Sequence, residues 1–157
     1  MARFVYRMQS ILNIKEKMEE QAKMEFAAAR MRLDEEELKL QALIERKENY
    51  EDEARKLRQN SLKVMDIMEN RDAIGMMDEF IMNQTLQVNM AERELENARQ
   101  KLQQARQESK TQERLREKAF EEFMQEENAR EAKEIDELTS YTHGRKQESV
   151  DLKYANG

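Results

Sequence analysis

The stretch NRDAIGMM, residues 70–77, decides the predicted fold, because it interrupts an otherwise unbroken helical pattern. The 157-residue chain has no proline and three glycines, of which Gly75 alone lies near the middle. Asn70 and Asp72 add side chains that cap helix ends, and a glycine commonly follows the last turn of a helix. We therefore predict a turn here between two long helices.

Two helices joined by a short turn are expected to fold back on each other as an antiparallel hairpin. Apolar residues spaced three and four apart on both sides of the turn support this arrangement. The predicted fold class is all-α, an antiparallel coiled-coil hairpin. The predicted bounds are a helix over 3–70, a turn over 71–75, a helix over 76–141, a hairpin domain over 3–142 and a disordered tail over 143–157.

Folding about this turn pairs positions whose numbers add to about 146, which matches apolar with apolar residues at both ends. The pairs in this register are Met8 with Leu138, Ile11 with Ile135, Met68 with Met77, and Val64 with Ile81. The predicted seam, the line of side chains along which the two helices meet, also contains polar residues. Polar residues suit knobs-into-holes packing poorly. These are Glu36, Lys47, Ser61, Gln84, Ser109 and Gln112. We expect a hairpin of modest stability.

Composition argues against catalysis. The chain has no cysteine and one histidine, and its formal net charge of −6 disfavours nucleic-acid binding. No glycine-rich phosphate loop or nucleophile–base arrangement is present. The acidic run at residues 34–37 winds around a helix instead of converging on a cation. We predict no enzyme activity, no cofactor and no metal site. No apolar run is long enough to span a bilayer, and a cytoplasmic protein is expected.

Several apolar residues lie outside the predicted seam, so the second helix would not bury their side chains. One interpretation is that they widen the two-helix core or sit singly exposed. Another is that they form patches at each end that a partner protein buries. A third alternative places the basic amino terminus on an anionic membrane surface. The residues are Val5, Tyr6, Leu12 and Ile14 in the opening stretch, Ile74, Met76, Phe80 and Met82 near the predicted turn, and Phe120 and Met124 farther on.

Charge is distributed unevenly between the two predicted helices. Residues 1–18 contain four basic side chains and one acid, whereas residues 121–137 contain eight acids and two bases. In an antiparallel hairpin these stretches are neighbours and attract each other. Exposed ion pairs contribute only about 0–1 kcal/mol each, so the attraction is expected to set register more than stability.

The opening FVYRMQSILNIKEKMEEQAK, residues 4–23, resembles the start of FliJ, a small component of the bacterial flagellar type III export apparatus. Members typically begin with F-x-[FY]-R-[LM]-[QE]-x-[IVL]-L-x-[IVL]-[KR]-E. The matching positions are Phe4, Tyr6, Arg7, Met8, Gln9, Leu12, Ile14, Lys15 and Glu16. The KEIDEL sequence at 133–138 and the two-segment layout are also similar, so the resemblance extends over about residues 3–142.

The resemblance implies a fold similar to the stalk of rotary ATPases. It also implies a non-enzymatic adaptor that promotes assembly or turnover of a hexameric export ATPase and links it to the membrane-embedded export gate. Such a protein would lie at the cytoplasmic face of the inner membrane at the flagellar base, and other export chaperones are further candidate partners. The alternative function is a generic coiled-coil rod or spacer, which needs a seam but no anchors outside it.

The resemblance also implies which residues meet which partner. The residues implied to bind the ATPase are Phe4, Tyr6, Arg7, Met8, Ile11, Ile14, Ile135 and Leu138. The residues implied to bind the export gate are Leu43, Tyr50 and Phe80.

Overall fold

The computed structural model describes residues 2–59 and 63–155, with the surroundings of side chains up to residue 148. It contains two helices, α1 (Gln9–Gln59) and α2 (Val64–Ala155), and no strand within those ranges. The helices pack against each other in a hairpin. The prediction of an all-α, two-helix hairpin is therefore confirmed.

Contacts within the chain divide it into two compact units. The central unit comprises Glu16–Glu108, and the terminal unit comprises Met1–Lys15 together with Ser109–Gly157. Each unit contains a part of α1 and a part of α2, and each is described separately below.

In the central unit, ion pairs join α1 to α2 in antiparallel order. They are Lys47 with Asp78, Arg32 with Glu94, and Arg106 with Glu19. The numbers of these paired positions add to about 125 instead of the predicted 146. The predicted pairs of Met68 with Met77 and of Val64 with Ile81 are wrong, because all four residues lie on α2.

The turn predicted at residues 71–75 is wrong, because α2 runs through it. Gly75 has no positive φ, and a Cβ added there would meet no atom within 4 Å. Packing on both sides keeps the helix continuous: Met77 is buried, and buried Asn70 donates a hydrogen bond from Nδ2 to the Tyr50 carbonyl oxygen at 2.9 Å. A glycine costs a helix interior only about 1 kcal/mol, which such packing offsets.

The break between the helices instead falls between Gln59 and Val64. Lys56 and Arg58 occupy the last turn of α1, and Asp66 occupies the first turn of α2. Each sign of charge complements the dipole at its own helix end. The chain therefore places suitable charges on both sides of a break that has no glycine or proline to signal it.

The helix bounds also differ from prediction at both chain ends. Residues 2–6 are not helical, so α1 begins at Gln9 instead of residue 3. The disordered tail expected over 143–157 is not found in residues 143–155, which continue α2 to Ala155. Strong helix formers follow Gly144, and no proline interrupts them. Residues 156–157 and the predicted seam residue Ser61 lie outside the described residues.

The core of the central unit is narrow and depends on small side chains. Its buried apolar residues are Ala22, Met77, Val88, Ala91, Ala98 and Leu102. Polar residues predicted on the seam bond across it: Gln84 Nε2 donates to the Glu36 carbonyl oxygen at 2.9 Å, and Lys47 Nζ lies 2.6 Å from Asp78 Oδ1. The seam therefore combines little apolar volume with specific polar contacts.

Substituting Gly75 with alanine tests whether this position is helical. We expect Gly75→Ala to raise the free energy of unfolding by about 0.5–1 kcal/mol, because alanine stabilises a helix interior and its methyl group meets open space. Urea unfolding followed by circular dichroism measures the effect. A loss of stability would instead indicate a turn with positive φ at Gly75.

Ser109, in the terminal unit, is 1% exposed, and its Oγ has no hydrogen-bond partner among the described residues. An unpaired buried hydroxyl costs about 1–3 kcal/mol. We therefore expect Ser109→Ala to stabilise the chain by about 1 kcal/mol or more in thermal or urea unfolding. Ser10→Ala, at an exposed position near the start of α1, is the matched control and should have a smaller effect. Destabilisation by Ser109→Ala would mean that the hydroxyl is satisfied.

Candidate partner-binding surfaces

The non-helical opening segment is anchored on α2 by an aromatic cluster in the terminal unit. The Phe4 ring lies 5.2 Å from the Phe120 ring in an edge-to-face arrangement and 5.4 Å from the Phe123 ring, measured between centroids. The Arg116 guanidinium lies 5.7 Å from the Phe4 ring centroid. Aromatic pairs and cation–π contacts each contribute about 0.5–1.5 kcal/mol. Phe4 therefore fixes this segment in place.

Hydrogen bonds extend the anchor into the first turn of α1. Tyr6 Oη donates to Gln112 Oε1 at 3.3 Å, and Arg116 Nε donates to Gln9 Oε1 at 3.0 Å. Leu12, only 3% exposed, is buried one turn later. The expectation that Leu12 lies off the seam is therefore wrong. Tyr6 is half-buried and uses its hydroxyl within the chain.

These contacts correct the predicted register of the opening stretch. Its partners on α2 lie between residues 112 and 123. The predicted pairs of Met8 with Leu138 and of Ile11 with Ile135 are wrong for this reason. The error follows directly from the misplaced turn, because moving the turn shifts every paired position.

The other side of the opening stretch is exposed. Val5 is 76% exposed and Ile14 is 56% exposed. Arg7, Met8 and Ile11 are also exposed. Since successive residues of a helix lie about 100° apart, Ile14 points about 160° away from buried Leu12. The opening stretch therefore has one apolar side packed on α2 and a second apolar side that is exposed.

Charged residues meet beside this stretch. Arg3 and Arg7 line an open groove together with Glu122 and Glu126. The basic opening of the chain thus lies next to the start of the acidic segment of α2. The uneven charge of the sequence predicts that these two stretches are neighbours.

Farther along α2, every residue from 128 to 148 is exposed. Ile135 is 62% and Leu138 65% exposed, and Tyr141 is equally open. The family resemblance of the sequence predicts that Ile135 and Leu138 form one ATPase-facing end with the opening stretch. The structure does not bring them into contact with it, because the opening stretch packs on α2 at residues 112–123.

Two of the residues implied to face the export gate lie at one level of the central unit. Leu43, on α1, and Phe80, on α2, both fall between the Glu36–Gln84 and Lys47–Asp78 contacts. Leu43 is half-buried and Phe80 is exposed. The hydrogen bond between Lys47 and Asp78, reinforced by their opposite charges, raises the pKa of the Lys47 ammonium group.

Tyr50 lies two turns beyond Leu43 on α1 and is also half-buried. Its carbonyl oxygen accepts the hydrogen bond from Asn70 Nδ2. Tyr50 thus has a structural contact through its backbone, while part of its side chain stays accessible.

A further apolar surface, only partly anticipated, lies on α2 of the central unit. The sequence singled out Met76 and Met82 near the expected turn, but not the residues that continue this surface in both directions. We call it the outer methionine face; it consists of Met65, Met68, Met76, Met82, Leu86 and Met90, which are all exposed. A second helical spacing of apolar residues, opposite the seam, is the signal that could have found it.

Among the described residues, no group of three or more histidine, cysteine, aspartate or glutamate side chains could hold a metal ion. His143, the one histidine of the chain, is exposed on α2. No helix of the described part of the chain is long and apolar enough to cross a membrane.

These features define a coiled-coil protein, a two-helix hairpin with exposed apolar side chains outside its seam. The family model for the flagellar FliJ protein matches residues 4–148, so the chain belongs to the FliJ family. It is a non-catalytic component of the flagellar or type III export apparatus. The family resemblance of the opening sequence is confirmed.

Comparison with solved structures supports the fold independently. A YscO homologue from Chlamydia trachomatis matches with a TM-score of 0.70 at 22% sequence identity, covering 94% of this chain and 99% of that chain. At this identity the likeness bears on the fold alone. No curated protein matches the chain.

The Phe4 anchor can be tested by limited proteolysis. Phe4→Ala should release residues 2–8 from α2, because it removes both ring contacts and the cation–π contact. We expect trypsin cleavage after Arg7 to accelerate about tenfold, which corresponds to about 1.4 kcal/mol of lost protection. Val5→Ala is the matched control and should leave the rate unchanged. Equal cleavage rates in both variants would contradict the anchor.

Proposed function

We propose that the chain is a non-enzymatic adaptor that links the flagellar export ATPase to the export gate. It binds the hexameric ATPase and promotes its assembly or turnover. It acts in the cytoplasm, at the cytoplasmic face of the inner membrane at the flagellar base. The observation that carries this proposal is the two-sided opening stretch, in which Leu12 is buried while Ile14 on the opposite side is exposed.

The ATPase-binding surface is held in place before the partner arrives. Val5 and Arg7 alternate with Phe4 and Tyr6, whose side chains are fixed on α2. Ordering these groups in advance lowers the entropy cost of association. Exposed apolar residues around a fixed centre are suited to act as binding hot spots.

Ile135 and Leu138 provide a second contact for the ATPase. They lie three residues apart on one side of α2, in a segment whose described side chains are all exposed. A groove on the partner could bury both at once. Their exposure leaves both side chains accessible to a partner.

The gate-binding surface is centred on Phe80. This ring is 44% exposed and lies level with Leu43, so the two helices present adjacent apolar groups. Tyr50 adds an aromatic side chain along α1. Other export chaperones are further candidate partners of the adaptor.

A generic coiled-coil rod is the alternative function. A rod requires the seam alone, and its outer positions are free to be polar. The exposed Val5, Ile14, Ile135 and Leu138 favour an adaptor over a rod.

The decisive experiment titrates the chain into the flagellar export ATPase from the same source, following ATP turnover and hexamer formation. The wild-type chain should stimulate both. Val5→Ala combined with Ile14→Ala should weaken the apparent affinity at least about tenfold, as expected for hot-spot residues. Met24→Ala combined with Met31→Ala, at two exposed positions of α1, is the matched control and should retain full stimulation.

Variants of Ile135 and Leu138 test the second ATPase contact separately from the opening stretch. Ile135→Gln and Leu138→Gln should reduce stimulation without lowering helix content, because both residues are exposed and glutamine is a good helix former. If the wild-type chain has no effect on the ATPase at tens of micromolar while remaining helical, the rod is favoured. Equal losses in the binding and control variants would assign the effect to general surface hydrophobicity.

A further inference from the structure

The outer methionine face groups six exposed apolar side chains on one side of α2 in the central unit. Its six side chains are between 49% and 69% exposed. They occur over residues 65–90, where α2 also buries a separate apolar side against α1. Apolar side chains that recur on one exposed side of a helix are typical of a surface that docks a partner helix.

The position of this face around the helix keeps it clear of α1. At about 100° per residue, its members are centred about 180° from the packed side that contains Met77 and Val88. Phe80 lies about 100° around the helix from the centre of the face, and Leu43 and Tyr50 lie on α1. The face is therefore distinct from the gate-binding surface proposed above, and the inference does not depend on that proposal.

Unpaired acids accompany the methionines. Asp72 and Glu79 project on the same side of α2, and their carboxylates form no ion pair or hydrogen bond among the described residues. Over residues 64–90 the sequence has five acidic side chains and one basic side chain. The seven-residue spacing places Asp72 and Glu79 about 10 Å apart along the helix axis.

We propose that the outer methionine face binds an amphipathic helix of a partner protein that carries basic residues beside its apolar stripe. Two Lys or Arg side chains about seven residues apart on that helix would pair with Asp72 and Glu79. The unbranched, polarizable methionine side chains would adapt to the apolar stripe. This combination of an adaptable apolar surface and acidic side chains favours basic helices.

The charges argue against two other occupants. In a parallel pairing of two copies, Asp72 and Glu79 would each face the same residue of the second copy. An antiparallel pairing that superposes the methionines brings Asp72 near Glu79 of the second copy, which also opposes like charges. An anionic membrane surface would be repelled by the same carboxylates.

The test uses the full chain and a synthetic 21-residue helical peptide as probe. The peptide carries leucine at heptad positions a and d and lysine at e and g, so that its own lysines oppose self-association. Fluorescence anisotropy of the labelled peptide measures the Kd. A second peptide with glutamate at e and g should bind at least tenfold more weakly.

Two sets of variants assign the binding to the face. Met76→Gln with Met82→Gln should raise the Kd about tenfold or more, and Asp72→Asn with Glu79→Gln should do the same for the lysine peptide. Met24→Gln with Met31→Gln is the matched control, because these exposed methionines lie on α1 of the same unit. This control should change the Kd less than twofold.

The proposal is overturned if the control and face variants weaken binding equally, or if none of them changes it. A dimer in sedimentation equilibrium that Met76→Gln with Met82→Gln abolishes would assign the face to a second copy. Binding to phosphatidylglycerol vesicles that the same variant abolishes would assign it to a membrane. Stimulation of the export ATPase by this variant should match the wild-type chain, so failure here is distinguishable from failure of the proposed function.

Discussion

Polar contacts between the helices hold the central unit in a single register. Gln84 donates to the Glu36 carbonyl oxygen, Asn70 donates to the Tyr50 carbonyl oxygen, and Lys47 pairs with Asp78. Of the six buried apolar residues of this unit, three are alanine and one is valine. Small apolar side chains distinguish poorly between neighbouring registers, whereas a buried amide that loses its acceptor costs about 1–3 kcal/mol. Register therefore depends more on the polar contacts than on the apolar area.

Register in turn decides which apolar side chains remain exposed. Leu12 and Ile14 are two residues apart and equally apolar, yet one is buried and the other is open. On α2, Met77 is buried and its neighbour Met76 is exposed. Because the seam is narrow, each helix keeps a second side that its partner helix does not cover. The candidate binding surfaces of both units are these uncovered sides.

The sequence was sufficient to predict the architecture but not the position of the break. Apolar spacing, the absence of proline and the scarcity of glycine predicted two helices in a hairpin, as observed. Glycine favours turns locally, so the sequence predicts a turn at Gly75, yet Asn70 and Met77 pack on either side of it and keep α2 continuous. The residues between Gln59 and Val64 carry no glycine or proline, so local propensity gave a weaker signal there.

The misplaced turn explains most of what the sequence predicted incorrectly about the candidate sites. An exposed opening stretch follows from its excess of apolar residues alone, and Val5 and Ile14 are indeed exposed. Knowing that Phe4 and Tyr6 pack on residues 112–123 requires the true register, which only tertiary contacts determine. The same shift left Ile135 and Leu138 without the partners assigned to them.

Where the register of a hairpin depends on a few polar contacts, residues on its outer sides can be substituted without changing that register. Substitution of an exposed methionine on α2 leaves Gln84, Asn70 and Lys47 with their partners, so the helices keep their alignment. The spacing of surface groups is then fixed by the helical rise of about 1.5 Å per residue. New binding specificities can therefore arise on the outer sides at little cost to the fold, which suits a non-catalytic member of the FliJ family that acts through its contacts with other proteins.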